Sequence, residues 1–413
     1  MRRIFFRFAV VWLLCIPPLA AEVVSTRCGE TEVPLDAFTS AAKLTGCGDD
    51  FPDDLLWHLD RIDQVDAALD GSFDRTNRGA GSVVYVMDTG VLAGHDEFAD
   101  EKGSRVIAGF DEASVRIGAS RCDSGNKALA PCYDDFGELV AASHGTGVAS
   151  VVAGRHVGVA PEAFVVSIRV MNERGLATTR TYLDGLDAIV RHAHSAGAPP
   201  FRTAVVNISG WVLERLSAQS SDGLPVVPYA SVAKKIREMI GGVDAQGRPD
   251  VNGRRFLFVV AGNNIDGGCG EAGFVDRFPA TLGRETMGLI TVGGMTADNQ
   301  PWAGTCRGGV EVLAPAQGIF SATITASDHY RGRRPNLRNG TSFAAPVIAG
   351  IAARLLADRP DLTPQQLESW IVATPSRTLD PSAYFAQGKV AYVRSVAPAQ
   401  SVASQTERGS ALH

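Results

Sequence analysis

Short runs of apolar, mostly β-branched residues recur along the chain, spaced so that a helix fits between them. Val83–Asp88 (VVYVMD), Phe164–Val170, Ala204–Ser209, Phe256–Ala261 and Leu289–Val292 are each too short for a helix and read as buried strands. Between them the period changes. Leu183, Leu186, Ile189, Val190 and Ala193 recur at helical spacing within Thr181–Ser195, and Ala230–Ile240 sets Lys234, Lys235 and Arg237 outward on an amphipathic helix. Thr363-Pro364-Gln365-Gln366 combines a capping box with Pro at the first helical position, which predicts a helix to about Ala373. Strands alternating with helices predict an α/β fold whose central, mostly parallel sheet is covered by helices on both faces. Ser217–Pro228 and Val243–Arg254, rich in Gly, Pro and Asp, read as surface loops, and no internal repeat is present.

The N-terminus breaks this pattern. Arg2 and Arg3 precede the nearly unbroken apolar run Ile4–Leu14, and Pro17, Pro18 and Ala20-Ala21 follow it. That is the order of a secretory signal peptide over residues 1–21, and the run falls short of the ~20 residues a membrane span needs. Residues 22–50 are polar and bracketed by Cys28 and Cys47, so they read as an N-terminal extension, a candidate short pro-segment. Residues 51–396 carry the globular pattern, and residues 397–413 are small and polar enough to be expected disordered. Export changes the reading of cysteine. Six remain beyond the signal, and an even number in an exported chain suggests disulfides. The nearest-neighbour scheme is 28–47, 122–132 and 269–306, one of 15 pairings. The net charge of −6, with no basic tract, argues against nucleic acid as a partner. After signal removal no membrane association is expected.

Four short segments carry candidate chemistry. Ser342, within Asn339-Gly340-Thr341-Ser342-Phe343-Ala344-Ala345-Pro346, opens a helix that is apolar nearly all round and must therefore be buried. The helix start offers partnerless N–H groups and the positive end of the dipole, which favour a nucleophile whose attack creates an oxyanion. A plain capping serine is the commoner role for such a residue. His144, in Ser143-His144-Gly145-Thr146-Gly147, opens a second apolar helical segment, Val148–Ala153, with glycines that allow close approach. Asp88-Thr89-Gly90 ends the first strand, where functional groups of open α/β sheets gather. Asn263, in Val259-Val260-Ala261-Gly262-Asn263, ends another strand and offers an amide donor. The remaining histidines, at 58, 95, 156, 192, 194, 329 and 413, lie in no comparable setting.

Together these segments resemble the subtilisin-like serine peptidases. The D-T-G, H-G-T, A-G-N and G-T-S-x-A-x-P motifs occur in that family's Asp…His…Ser order. The resemblance runs from about Trp57 to Val396 and includes Gly158-Val159-Ala160-Pro161, Phe278-Pro279-Ala280 and Val312-Leu313-Ala314-Pro315; Trp57–Asp63 leans toward the proteinase K branch. It implies a three-layer subtilisin-like fold and an Asp88-His144-Ser342 triad. Asn263 and the Ser342 N–H would form the oxyanion hole, and the substrate would be a protein or peptide cleaved through an acyl-enzyme. A neutral imidazole base favours activity above neutral pH. A monomer that needs no cofactor for catalysis is expected, and the signal pattern of residues 1–21 places it outside the cytoplasm, in a periplasm or beyond the cell. Calcium is common in the family, but no spacing among Asp134, Asp135, Asp266 and Asp276 locates a site.

Three departures stand out. Gly147 occupies the position where members often carry a second histidine, and a looser buried contact is expected there. The substrate-edge segment, commonly S-L-G-G, is matched by Ser209-Gly210-Trp211-Val212, so the expected substrate-binding residues Ser209, Gly210 and Trp211 include a bulky ring and should alter subsite preference. Residues 22–50 are too few for the folded inhibitory prodomain usual in secreted members. The rival readings are a non-catalytic binding protein of the same fold and an unrelated hydrolase. No G-x-S-x-G elbow supports the latter.

Overall fold

Alternation along each central strand decides which layer a side chain joins. The computed structural model describes residues 56–63, 69, 73, 75–111, 121–122, 132–133, 144–172, 175–212, 227–244, 246, 248–249, 253–265, 269–323, 330–331, 334–335 and 337–373. Seven strands form one parallel sheet: β1 (Val83–Asp88), β2 (Val106–Asp111), β3 (Phe164–Arg169), β4 (Thr203–Ile208), β5 (Arg255–Ala261), β6 (Leu289–Met295) and β7 (Val312–Pro315). Their order across the sheet is β7-β6-β5-β4-β1-β3-β2. Val84, Val86, Val205, Leu257, Val259 and Val292 point into one buried cluster, and Val83, Tyr85, Met87, Val206, Phe256 and Phe258 into the other.

The first cluster packs α2 (His144–Ala153), α5 (Thr341–Asp358) and α6 (Pro364–Ala373), and takes in residues of the short α1 (Trp57–Asp60). The second packs α3 (Thr179–Ala193) and α4 (Tyr229–Gly241). This is the expected α/β architecture with helices on both faces. By length and composition alone α5 could cross a membrane, but 83% of it is buried inside the protein, as a core helix would be. At α6 the capping box forms as the sequence predicts. Gln366 N–H donates to Thr363 Oγ1 at 3.3 Å, and Thr363 N–H donates to Gln366 Oε1 at 2.9 Å.

Two strands escape the sequence pattern. β2 is an edge strand with a register shift between Ala108 and Phe110. Gly109 sits in that irregularity, where a Cβ would come within 2.5 Å of Ile168 Cδ1 and 2.7 Å of Val166 Cγ1. A glycine in a strand weakens the periodic signal but admits this close approach. The other, β7, has only four residues. Cys269 and Cys306 form a disulfide with Cα atoms 5.7 Å apart. Strand pairing sets Cys122 opposite Cys132. Cys28 and Cys47, the expected signal peptide (1–21) and extension (22–50), and the tail (397–413) lie outside the described residues.

Candidate active site

Because the sheet is parallel, the carboxyl ends of β1, β4 and β5 lie side by side, and the candidate residues follow from them. Asp88 is the last residue of β1, Ser209 follows β4, and Asn263 comes two residues after β5. His144 and Ser342 lie at the N-termini of α2 and α5 on one face of the sheet. Residues 254 positions apart in sequence thus meet at one edge of the fold.

Asp88 is fully buried, and its carboxylate faces His144. The ring Nδ1 lies 2.9 Å from Asp88 Oδ1 and 3.0 Å from Oδ2. A carboxylate there accepts an Nδ1–H and so fixes the tautomer that leaves Nε2 as the base. Asp88 Oδ1 also accepts the Thr89 N–H at 2.7 Å, and Thr89 Oγ1 accepts the Gly145 N–H at 3.0 Å. These bonds tie the strand-end turn to the first turn of α2. Gly145 has no room for a side chain, since a Cβ would lie 2.4 Å from Gly90 O. The His144 side chain keeps 22% of its surface exposed, which a group that must meet substrate requires.

Ser342 is placed by three features that sequence reading alone did not find. Asn264 Oδ1 accepts both the Thr341 N–H and the Thr341 Oγ1–H at 2.9 Å, so a residue of the β5 loop satisfies the start of α5. Pro346 lies four residues after Ser342 and has no N–H, so the Ser342 carbonyl lacks its helical donor. Ser209 supplies the replacement: its hydroxyl donates to Ser342 O at 2.7 Å, and the Ser342 hydroxyl donates back to Ser209 O at 3.1 Å. Asn207 Nδ2 donates to Ser209 Oγ at 3.0 Å and orients it. Ser209, expected only as a substrate-edge residue, therefore also holds the serine helix. The Asn-Asn doublet and a proline four residues after the serine are the signals that would have pointed to these contacts.

Asn263 is 5% exposed and adopts φ 73°, a left-handed conformation that Asn tolerates better than most residues. Its Oδ1 accepts the Asn264 N–H at 2.9 Å, which fixes the orientation of the carboxamide, and its carbonyl accepts the Cys306 N–H at 3.2 Å. Asn263 and Ser342 are thus coupled through their neighbours Asn264 and Thr341. Preorganised donors of this kind stabilise charge without reorganising.

Gly147 corrects an expectation. The position is tightly packed, since a Cβ would lie 3.2 Å from Ser321 Oγ and 3.3 Å from Phe343 Cε1. Phe343 fills the space and sets its ring edge-on to His144, with centroids 5.5 Å apart. Of the loop acids considered for calcium, Asp134, Asp135 and Asp266 lie outside the described residues. Asp276 faces the Arg277 guanidinium at 3.6 Å. Among the described residues no three His, Cys, Asp or Glu side chains converge.

Residues 79–390 match the profile of the Subtilase family, labelled Peptidase_S8. The chain is 28% identical over 322 residues to alkaline serine exoprotease A of Vibrio alginolyticus, covering 78% of this chain and 47% of that protein. It is also 28% identical over 326 residues to the extracellular serine proteinase of Thermus sp. (strain Rt41A), covering 78% and 62%. It therefore spans roughly half to three-fifths of the length of these relatives. A solved cold-adapted subtilisin-like serine proteinase superposes with a TM-score of 0.58 at 25% identity, covering 82% of this chain and 98% of the other.

Proposed function

The chain belongs to the subtilase family, and on that premise we propose that it is a secreted serine endopeptidase. One observation carries the reading: the His144 imidazole is held by both oxygens of the buried Asp88 carboxylate, at the strand-end edge where α5 presents Ser342. In this proposal Ser342 Oγ attacks the peptide carbonyl. His144 Nε2 takes the hydroxyl proton and returns it to the leaving amine, and Asp88 stabilises the transient imidazolium. The Asn263 carboxamide and the Ser342 N–H, at the positive end of α5, receive the oxyanion. Water then hydrolyses the acyl-enzyme by the same route in reverse.

The structure holds the serine in a different hydrogen bond. The Ser342 hydroxyl donates to Ser209 O rather than to the imidazole. Substrate pairing along Ser209-Gly210-Trp211 competes for that carbonyl and frees the hydroxyl to turn toward His144. No metal or cofactor enters any of these steps. Placement in the proteinase K branch is supported by the buried WHLD helix, whose Trp57 Nε1 donates to Gln317 O at 3.1 Å, and by 26% identity to a cuticle-degrading serine protease of Arthrobotrys oligospora. Export is supported by the signal-like residues 1–21 and by relatives named as an exoprotease and an extracellular proteinase. The proposed organisation is a peptidase domain at 51–396, an extension at 22–50 and a tail at 397–413, acting as a monomer on protein or peptide substrates.

Labelling the purified protein with a fluorophosphonate, read by intact mass, tests the reading. A single adduct that disappears in Ser342→Ala is expected. A folded protein that takes no label at mildly alkaline pH would leave a non-catalytic binding protein of this fold.

A further inference from the structure

The turn of α5 that carries Ser342 lacks a hydrogen bond of its own. In an unbroken helix the Ser342 carbonyl would accept the N–H four residues on, but Pro346 has none, and its ring crowds that carbonyl. The Ser209 hydroxyl donates to Ser342 O instead, at 2.7 Å, from a segment 133 residues away in sequence. The direction of this bond is forced. Asn207 Nδ2 can only donate, and it donates to Ser209 Oγ at 3.0 Å, so the Ser209 proton turns to Ser342 O.

The strand end that holds Ser342 is itself fixed. β4 pairs with β1 as far as Ile208 opposite Met87, which brings Ser209 level with Asp88. Asn207 and Ser209 are both buried. Gly210, the next residue, has no room for a side chain, since a Cβ would lie 2.2 Å from Met171 Cε. Met171 is buried in turn, and its N–H donates to Asp88 O at 3.2 Å. Ser209 and Gly210 are thus packed against the strand end that carries Asp88.

We propose that Ser209 is a positioning residue: its hydroxyl registers the nucleophile on the same residue whose carbonyl is open to substrate pairing. The inference rests on the peptidase reading above and adds a residue to its machinery. The attack distance is then set across one residue rather than across the sheet. Substrate takes the Ser209 carbonyl and releases the Ser342 hydroxyl from it, while the Ser209 hydroxyl keeps the Ser342 backbone in place. Reacting atoms must lie about 3–3.5 Å apart, and an error of about 1 Å can lower the rate about a hundredfold. Pro346 belongs to the same device, because by withholding an N–H it transfers the Ser342 carbonyl from its own helix to the neighbouring strand end.

Two variants separate positioning from the mere pairing of a buried carbonyl, with kcat and KM read on an internally quenched peptide and melting temperature read alongside. Ser209→Ala removes the donor and leaves the backbone for substrate. Its kcat is expected to fall about ten- to a hundredfold with KM within about threefold of wild type, and its melting temperature to drop because Ser342 O is left unpaired. Adding Pro346→Ala returns a helical N–H to that carbonyl, so the melting temperature should recover while kcat stays low, since the helix and not Ser209 now holds Ser342. A double variant that regains kcat together with stability overturns the proposal, because the carbonyl then needed only a partner. Ser209→Ala with kcat within about twofold of wild type overturns it as well. In either case wild-type protein that takes the fluorophosphonate label at Ser342 leaves the peptidase reading standing. Wild-type protein that takes no label overturns both.

Discussion

The two faces of the sheet bury helices of different character. On one face α5 is buried from Phe343 to Leu356 without interruption, and every residue of α2 after His144 is buried. On the other, α3 and α4 bury only one stripe, and Ala230, Lys234 and Arg237 of α4 are exposed. Both pairs cover sheet, but only the enclosed pair presents candidate catalytic groups. A helix enclosed on all sides cannot roll or slide without opening voids in an interior that is close-packed. The contact that encloses α5 is close: a Cβ on Gly350 would lie 2.5 Å from Val159 Cβ, in the segment after α2. The outer helices need only shield the sheet, and a one-sided apolar stripe suffices for that.

The contrast can be broken at three points. Truncation in the enclosed layer should cost most. Ile351→Ala on α5 is expected to lose about 2–5 kcal/mol of stability in urea unfolding, and a loss below about 1 kcal/mol would show that α5 is not locked in place.

Acidification should sharpen the contrast next. His58 lies on the enclosed face, wholly buried, with Nε2 2.9 Å from Val157 O. Burial lowers its pKa from 6.5 to about 4, the nearby Arg75 charge adding to this and the Val157 hydrogen bond opposing it. The unfolded chain takes up this proton near pH 6.5 and the native chain only near 4. The contribution is therefore level above about pH 6.5 and is lost as pH falls toward 4, by up to about 1.4 kcal/mol per pH unit. His58→Phe should flatten that part of the acid dependence, and an unchanged slope would assign it to other groups.

Smallest is the effect on the outer face. Lys235 on α4 pairs with Asp187 on α3 at 2.6 Å, with the carboxylate 41% exposed. Lys235→Ala should cost less than about 1 kcal/mol and matter less still in high salt. A loss rivalling that of Ile351→Ala would erase the distinction between the faces.

Much of this architecture was legible because its signals are local. Five strands, the helices on both faces and the capping box at Thr363 came from periods and caps that involve residues a few positions apart. β2 escaped because a glycine-bearing register shift interrupts its alternation, and β7 because four residues carry little pattern. At the site, Asp88, His144, Asn263 and Ser342 were legible as motif residues. Their supports were not. Asn264 capping Thr341, Ser209 answering the carbonyl that Pro346 leaves open, and Phe343 filling the space at Gly147 each join segments far apart in the chain. The expectation at Gly147 erred for that reason, since the filling side chain comes from α5, 196 residues away.

By itself the sequence determined which segments are strands and helices, which faces they bury, and which residue types end at strand tips and helix starts. Hydrophobic period, missing amide protons and capping side chains act within about one turn of helix or two residues of strand, so they can be read along the chain. Only the tertiary structure decided that β1, β4 and β5 are neighbours with α2 and α5 packed on one face, and hence that Asp88 meets His144 and Ser209 holds Ser342. Those contacts depend on strand order in a parallel sheet, which is set by how whole layers pack and is not encoded in any one segment.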